Sequence, residues 1–268
     1  MILVRPKATK LFMPQSFEQC LKHIEYCGRV AYKSEDRITD DSSVRFVRSL
    51  ISRGHLSVLR HISLRLPSDY FMFSPSNYMY KVGGFWVGNL QAWFDLGNWS
   101  DDVSHELYLA FPQIFDKPST PYSRSETSFS IDEDYQTYKL ITDRGVSHEL
   151  VRHTTLAVTQ ESSRYCKYGD GVTFVVPERL DKHISPTESG LFLESCLLSE
   201  SQYLSALEMG LTPQDARGML NHHVKTELMM SGSSRSWSHF KSVRFEELTG
   251  KVHPQMLELT KLMVKEGL

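Results

Sequence analysis

Helix-like and strand-like stretches follow one another in no regular alternation along this chain. That irregular mixture constrains the fold more than any other feature. Residues 61–66 (HISLRL) alternate polar and apolar side chains, as a half-buried strand does. Residues 2–4, 138–143 (YKLITD), 173–177 (TFVVP) and 224–230 (VKTELMM) are further predicted strands. Helices are predicted over 17–33, 42–53, 145–155, 186–209, 233–244 and 254–266. Several carry end signals. Ser16 and Gln19 make a capping box, and Gly54 is a C-terminal stop. Thr212-Pro213-Gln214-Asp215 opens a helix with Thr at the cap and Pro at the first helical position. With no internal repeat, heptad array or low-complexity tract, the expectation is an α+β fold. Residues 67–134 are the least legible: rich in Tyr, Phe and Trp, with a Gly-Gly pair, a helix start near Asn89 and a loop at 117–134.

Composition narrows the function. Of 268 residues 40% are hydrophobic, enough for a substantial core, and 30 basic against 32 acidic residues leave a net charge of −2. A duplex-binding protein carries a basic excess, so no nucleic-acid partner is expected and any small anion must be met by local arginines. No apolar run reaches the ~20 residues that span a bilayer, and MILVRPKATK lacks a signal-peptide core. The reading is a cytoplasmic chain without membrane contact. None of Cys20, Cys27, Cys166 and Cys196 forms a C-x-x-C pair. Cys20 and Cys27 share one face of a predicted helix and read as core thiols of a reducing compartment.

Three constellations invite chemistry, and two of them fail a geometric test. His148-Glu149 suggests a zinc protease, but the next histidine is His153; at five residues' spacing the two point roughly 140° apart on a helix. His222 and His223 are adjacent in a strand-like stretch and face opposite sides. Cys166, near Arg164 and Lys167, has cationic neighbours that lower a thiol's pKa, yet a core or pocket-wall role suits it better. No metal site is expected. The arginines say more. Arg152, Arg164, Arg217, Arg235 and Arg244 lie in otherwise apolar segments, with Gln160-Glu161-Ser162-Ser163 among them. A surface salt bridge explains any one of them. Five suggest a convergent site for a phosphate-bearing small molecule, which guanidinium forks bind bidentately.

RHTTLAVTQESSRY (152–165) resembles the signature of flavin-dependent thymidylate synthases, R-H-R followed by seven residues and S. DRGVSHELV (143–151) resembles that family's approach to it. ARGMLNHHVKTELMMSGSSRSWSHFKSVR (216–244) resembles a second block, A-R-x-x-L-P, a strand with K-T-E, N-x-R and L-R, which KVHPQM (251–256) continues. HLSVLRHISL (55–64) is similar to the family's S-x-x-E-H, and GNLQAW (88–93) to a stretch of longer members.

The resemblance implies a single domain over 1–268, a mixed or antiparallel sheet packed by helices, with 67–134 inserted. It implies methylation of dUMP to dTMP, with carbon from methylenetetrahydrofolate and electrons from NADPH through FAD, in a homotetramer with active sites between subunits. By position it places Glu149, Arg152, Gln160, Glu161, Ser162, Ser163, Arg164 and Arg217 at dUMP. It places His61, Ser63, His153, Thr154, Ser233, Arg235 and His239 on the flavin or folate side, where Arg152 and Gln160 also reach. Arg244 matches the arginine that polarises the uracil ring. That role is physically sensible: a fixed guanidinium stabilises charge developing on the ring and replaces activation by a cysteine. The departures are Thr154 for Arg, Arg60 for Glu, Asn221 for Pro and Ser233 for Asn. Thr154 removes a cation from the flavin side, and Arg60 is expected to restore one. The same changes also fit a flavin-using dUMP hydroxymethylase or a non-catalytic nucleotide-binding homologue.

Overall fold

A computed structural model describes residues 1–69, 79–182 and 186–268; residues 70–78 of the aromatic-rich segment lie outside the described part. Its centre is a four-stranded antiparallel sheet in the order β2 (Lys7–Lys10), β7 (Tyr135–Asp143), β10 (Lys225–Ser233) and β8 (Ala157–Gln160). β7 and β10 pair along nine residues each, from Lys225 opposite Asp143 to Ser233 opposite Tyr135. Alternation gives this sheet two different faces. On one, Tyr138, Leu140, Leu228 and Met230 form a core with Trp237 and Phe240 of α9 (Ser234–Arg244) and with Met256 and Leu259 of α10 (Pro254–Lys265). α5 (Arg144–Leu150) adds Val146 and Leu150.

The opposite face is polar although buried. His61 is fully buried, with Nδ1 2.7 Å from the Ser231 hydroxyl and Nε2 2.8 Å from that of Thr159. Ser231 in turn meets Thr137 at 2.7 Å, and Thr137 meets His23 of α1 (Phe17–Arg29) at 3.1 Å. Burial holds both imidazoles neutral, His23 at about 4 and His61 at about 3, the latter helped by nearby His23 and Arg60. Each polar atom in this chain of bonds has a partner, which is how a polar layer survives inside a core.

A second four-stranded antiparallel sheet runs β4 (Met79–Val82), β5 (Phe85–Asn89), β3 (Ser63–Pro67), β6 (Ser130–Ile131). Gly83 and Gly84, at φ +54° and +79°, turn β4 into β5, since a two-residue hairpin needs left-handed backbone at both positions. One face, with Leu64, Leu66, Met79 and Trp86, packs onto α1, α2 (Ser42–Ser52), α3 (Leu90–Gly97) and α4 (Asp101–Ala110). The other carries Ser63, Tyr80 and Asn89. So the segment beyond residue 67 builds half of a second core. Sequence patterning misses it because its strands are short and its contacts distant. A third, two-stranded parallel sheet joins β1 (Ile2–Val4) to β9 (Thr173–Val175), beside α6 (Glu178–Lys182) and the long α7 (Pro186–Glu208). α8 (Pro213–Ala216) starts at Thr212 as expected.

Several predicted boundaries shift. The 17–33 helix ends at Arg29: Val30–Tyr32 tighten into a 3-10 turn and Lys33 takes φ 47°, a left-handed stop. The 145–155 helix ends at Leu150, leaving Arg152, His153 and Thr154 in turns that feed β8, a strand too short to show a period. His61 closes a 3-10 turn (Leu56–His61) and does not lie in the strand. His222 and His223 stand in the turn before β10, not in a strand. Ser233 is the cap of α9, accepting from the Ser236 amide at 3.3 Å.

Candidate functional site

Arg244, in the last turn of α9, is held on three sides. Its Nη1 donates to the Glu149 carboxylate at 2.7 Å, its Nη2 to the Glu149 carbonyl at 3.3 Å, and its Nε to His153 Nε2 at 3.0 Å. Glu149 comes from α5, whose start is fixed by Asp143 accepting from the Val146 amide at 2.8 Å. Accepting at Nε2 requires a neutral His153, and burial with the neighbouring Arg244 and His239 charges lowers it to about 4. Phe240 packs against the His153 ring at 4.8 Å. Three of the five guanidinium N–H groups are thus engaged, and two remain for a ligand.

Beside this cluster lies a cavity of about 740 Å3, within the usual size of a small-molecule site. Ser233, Arg235, Ser236 and His239 line it from the start of α9, and Ser63, Tyr80, Gly88 and Asn89 from the second sheet. Arg60 and Thr154 complete it: an Arg60 Nη2 donates to the Thr154 carbonyl at 3.2 Å. Tyr135 fixes Arg60 from behind, its hydroxyl donating to the Arg60 carbonyl at 2.6 Å. Ser63 is anchored to Asp132 at 3.0 Å, and Arg65 neutralises that carboxylate at 2.5 Å. The cationic side chains Arg60 and Arg235 therefore face a cavity whose nearest buried acid is already paired.

The five arginines expected to converge separate: Arg235 lines this cavity and Arg244 lies beside it, while Arg164 and Arg217 gather elsewhere. Arg164 Nε donates to Gln214 Oε1 at 2.9 Å, which brings the Ser162–Arg164 turn to α8, and Arg217 follows α8 in the next 3-10 turn. Arg164 and Arg217 are exposed, as is Arg152. Under the turn lies a charge network. Buried Glu161 takes Lys225 at 2.9 Å and the Tyr168 hydroxyl at 2.8 Å, while Glu227 takes Lys225 at 2.6 Å and Lys139 at 3.0 Å. Against its own burial, Glu227 is lowered to about 2 by those lysines, and Lys225 is raised by the two glutamates. A second cleft of about 700 Å3, carrying Lys33, Arg37, Arg45 and Arg53, shares Tyr165 with this turn.

The expected site residues thus separate into groups. Ser63, Thr154, Ser233, Arg235 and His239 meet at one cavity, with Arg244, Glu149 and His153 next to it. Ser162, Ser163 and Arg164 share one turn, next to Arg217. Two expected site residues lie inside the fold. His61 is fully buried with both nitrogens occupied, so it braces the sheet. Glu161 is 1% exposed and its carboxylate is tied to Lys225 and Tyr168, so it supports the turn from beneath. Gln160 is half-buried, its amide donating to Ser147 at 2.9 Å and Thr226 at 3.1 Å. Tyr80 and Asn89 were missed. The Gly-Gly hairpin between them was the available signal. Cys166 is buried and raised to about 11 by burial and Glu161, and Cys20 is raised to about 12 by burial. Among the described residues no group of three His, Cys, Asp or Glu could hold a metal, and no helix is long and apolar enough to cross a membrane.

Residues 131–266, just over half of the chain, match the family model described as thymidylate synthase complementing protein. The flavin-dependent thymidylate synthase of Thermococcus onnurineus is 34% identical over 106 residues, which are 38% of this chain and 42% of that protein. That of Geobacter sulfurreducens is 31% identical over 104 residues, 38% of this chain and 43% of the relative. That of Synechocystis sp. is 26% identical over 145 residues, 48% and 66% of the two chains. The chain spans less than half the length of the first two relatives it matches. Among solved structures, the UMP/dUMP methylase PolB from Streptomyces cacaoi, bound with 5-Br UMP, aligns at a TM-score of 0.47 and 13% identity, covering 99% of this chain and 90% of that one.

Proposed function

The chain belongs to the thymidylate synthase complementing protein family, and from that premise we propose that it methylates dUMP to dTMP. In this reading FAD is the resident cofactor, NADPH the reductant and methylenetetrahydrofolate the carbon donor. Residues 1–268 act as one domain within a cytoplasmic homotetramer.

The observation that carries the reading is the grip on Arg244. Glu149 and His153 fix the guanidinium before any ligand arrives, at 2.7 and 3.0 Å, and leave two N–H groups directed elsewhere. A preorganised donor of this kind stabilises negative charge developing on a uracil ring, the task that a thiolate adduct performs in other designs. The four thiols suit no such adduct: all are buried, and Cys166, nearest the Ser162–Arg164 turn, is held in its neutral form. Arg164, Arg217 and the Ser162 and Ser163 hydroxyls are placed to take the nucleotide phosphate.

The cavity fits a flavin. It joins an aromatic wall at Tyr80 to two cations, Arg60 and Arg235, and to the hydroxyls of Ser63 and Ser233. When bound, the flavin supplies hydride and electron chemistry that no side chain here possesses. The chain's own part is positional. Arg60 and Arg235 meet the cofactor's negative charge, Ser233 and Thr154 frame its edge, and neutral His153 keeps Arg244 aimed.

The test is a visible spectrum of the purified protein with FAD and dUMP, followed by turnover with methylenetetrahydrofolate and the mass of the product. Flavin bands that shift with dUMP, and dTMP as product, are expected. A hydroxymethylated product would replace this reaction with dUMP hydroxymethylation, and no flavin under any loading condition would leave only a nucleotide-binding homologue.

A further inference from the structure

Strand alternation decides what the second sheet presents to the cavity. Tyr80 pairs with Val87 across the β4–β5 hairpin, and Arg65 pairs with Val87 and Ser63 with Asn89 across β3–β5. Cross-strand partners share a face, so Ser63, Arg65, Tyr80 and Asn89 look one way. Met79, Trp86, Leu64 and Leu66 look the other way, into the core. Lys81, next to Tyr80, lies over the Trp86 ring at 5.8 Å, which confirms the sorting. Of the two tyrosines that line the cavity among the described residues, Tyr135 is 8% exposed and its hydroxyl is committed to Arg60. Tyr80 is 37% exposed and its phenol lies against Ser233, the cap of α9. Among the described residues its ring is therefore the aromatic surface of this cavity open to a ligand.

We propose that Tyr80, on the segment beyond β3, is the ring-contacting residue of the cavity: it packs against the planar ring system of the bound cofactor and fixes its tilt relative to Arg244. The hairpin would then contribute a specificity wall that the arginine motifs do not encode. Aromatic pairs of this kind prefer offset or edge-on packing and contribute beyond the area they bury. The proposal rests on the flavin reading above, and its test separates the two.

The full-length apo-protein, its Tyr80→Phe variant and its Tyr80→Leu variant are titrated with FAD while flavin fluorescence is followed. An electron-rich phenol in contact quenches flavin emission by electron transfer, which a phenyl or alkyl side chain does not. The wild type is expected to bind and quench, Tyr80→Phe to stay within about threefold in Kd with brighter bound flavin, and Tyr80→Leu to bind about tenfold more weakly with equally bright bound flavin. Thermal melts of the three apo-proteins check that the edge strand still folds. Wild-type affinity and quenching in a folded Tyr80→Leu would overturn the role of Tyr80 and leave the flavin reading standing. Failure of the wild type itself to take FAD would overturn both, and that failure would be seen before any variant was compared.

Discussion

Arg244 is bonded through three nitrogens to Glu149 and His153, whereas Arg217 and Arg152 stand exposed on turns and the exposed Arg164 meets only uncharged groups among the contacts described, the Gln214 amide and the Tyr165 ring. The difference follows from where each sits. Arg244 ends a continuous strand-cap-helix unit, β10 into α9, and faces α5, which follows the neighbouring strand β7. The others lie on loops around a short helix of four residues. A cation that must stabilise a transition state gains from being fixed beforehand. A cation that must catch a diffusing phosphate gains from exposure, because its charge then acts at a distance. The molecule contains both kinds, and under the proposed function the contrast would give chemistry to one and capture to the other.

The contrast can be broken by mutation. Arg244→Ala is expected to lower kcat by roughly 10²–10³-fold, the usual cost of removing one preorganised donor. A loss under threefold would remove the catalytic assignment. Arg217→Ala is expected to raise KM for dUMP about tenfold with little change in kcat, since a charged hydrogen bond contributes about 1.5–3 kcal/mol. An equal fall in kcat would mean that the two groups do not differ in kind. Arg60→Glu places a negative charge beside Thr154 and is expected to weaken FAD binding several-fold; unchanged affinity would sink the idea that Arg60 restores the cation Thr154 lacks.

The smallest effect concerns the polar layer beneath β10. His23 and His61 are lowered to about 4 and about 3 from an ordinary 6.5. The unfolded chain takes up protons first, so their contribution is complete above about pH 6.5 and falls away as the pH drops towards 4. Between pH 7 and 6 each loses about 0.7 kcal/mol. Urea midpoints should decline over that interval, and a midpoint that rises on acidification would contradict the neutral assignment.

The arginines themselves were legible in sequence because most lie in short contiguous motifs, but their separation into groups was not: Arg164 and Arg217 come together from two motifs, and all five were expected to converge. Arg152 to Arg164 and Arg235 to Arg244 are separated by short, fixed spacings, and the strand over 224–230 that leads into the second pair shows its apolar pattern plainly. The placement of His61 was not legible. Its partners Thr159 and Ser231 are 98 and 170 residues away, and a histidine in a motif looks the same whether it faces a ligand or a core. The burial of Glu161 was illegible for the same reason, its lysine being contributed by β10. The second sheet was illegible because β4 has four residues and β6 two, too few for a period to rise above composition.

The Gly83–Gly84 hairpin sets a rule of parity on evolution and design. Side chains change sides at every step along β4, so the removal of a single residue between the turn and Met79 would send Tyr80 into the interior and swing Lys81 or Met79 out to its place. Substitutions in this strand can be sampled one at a time and judged by size and polarity. Changes of length can only come in twos, and a library built on this segment should be indexed by whether its insertions are odd or even.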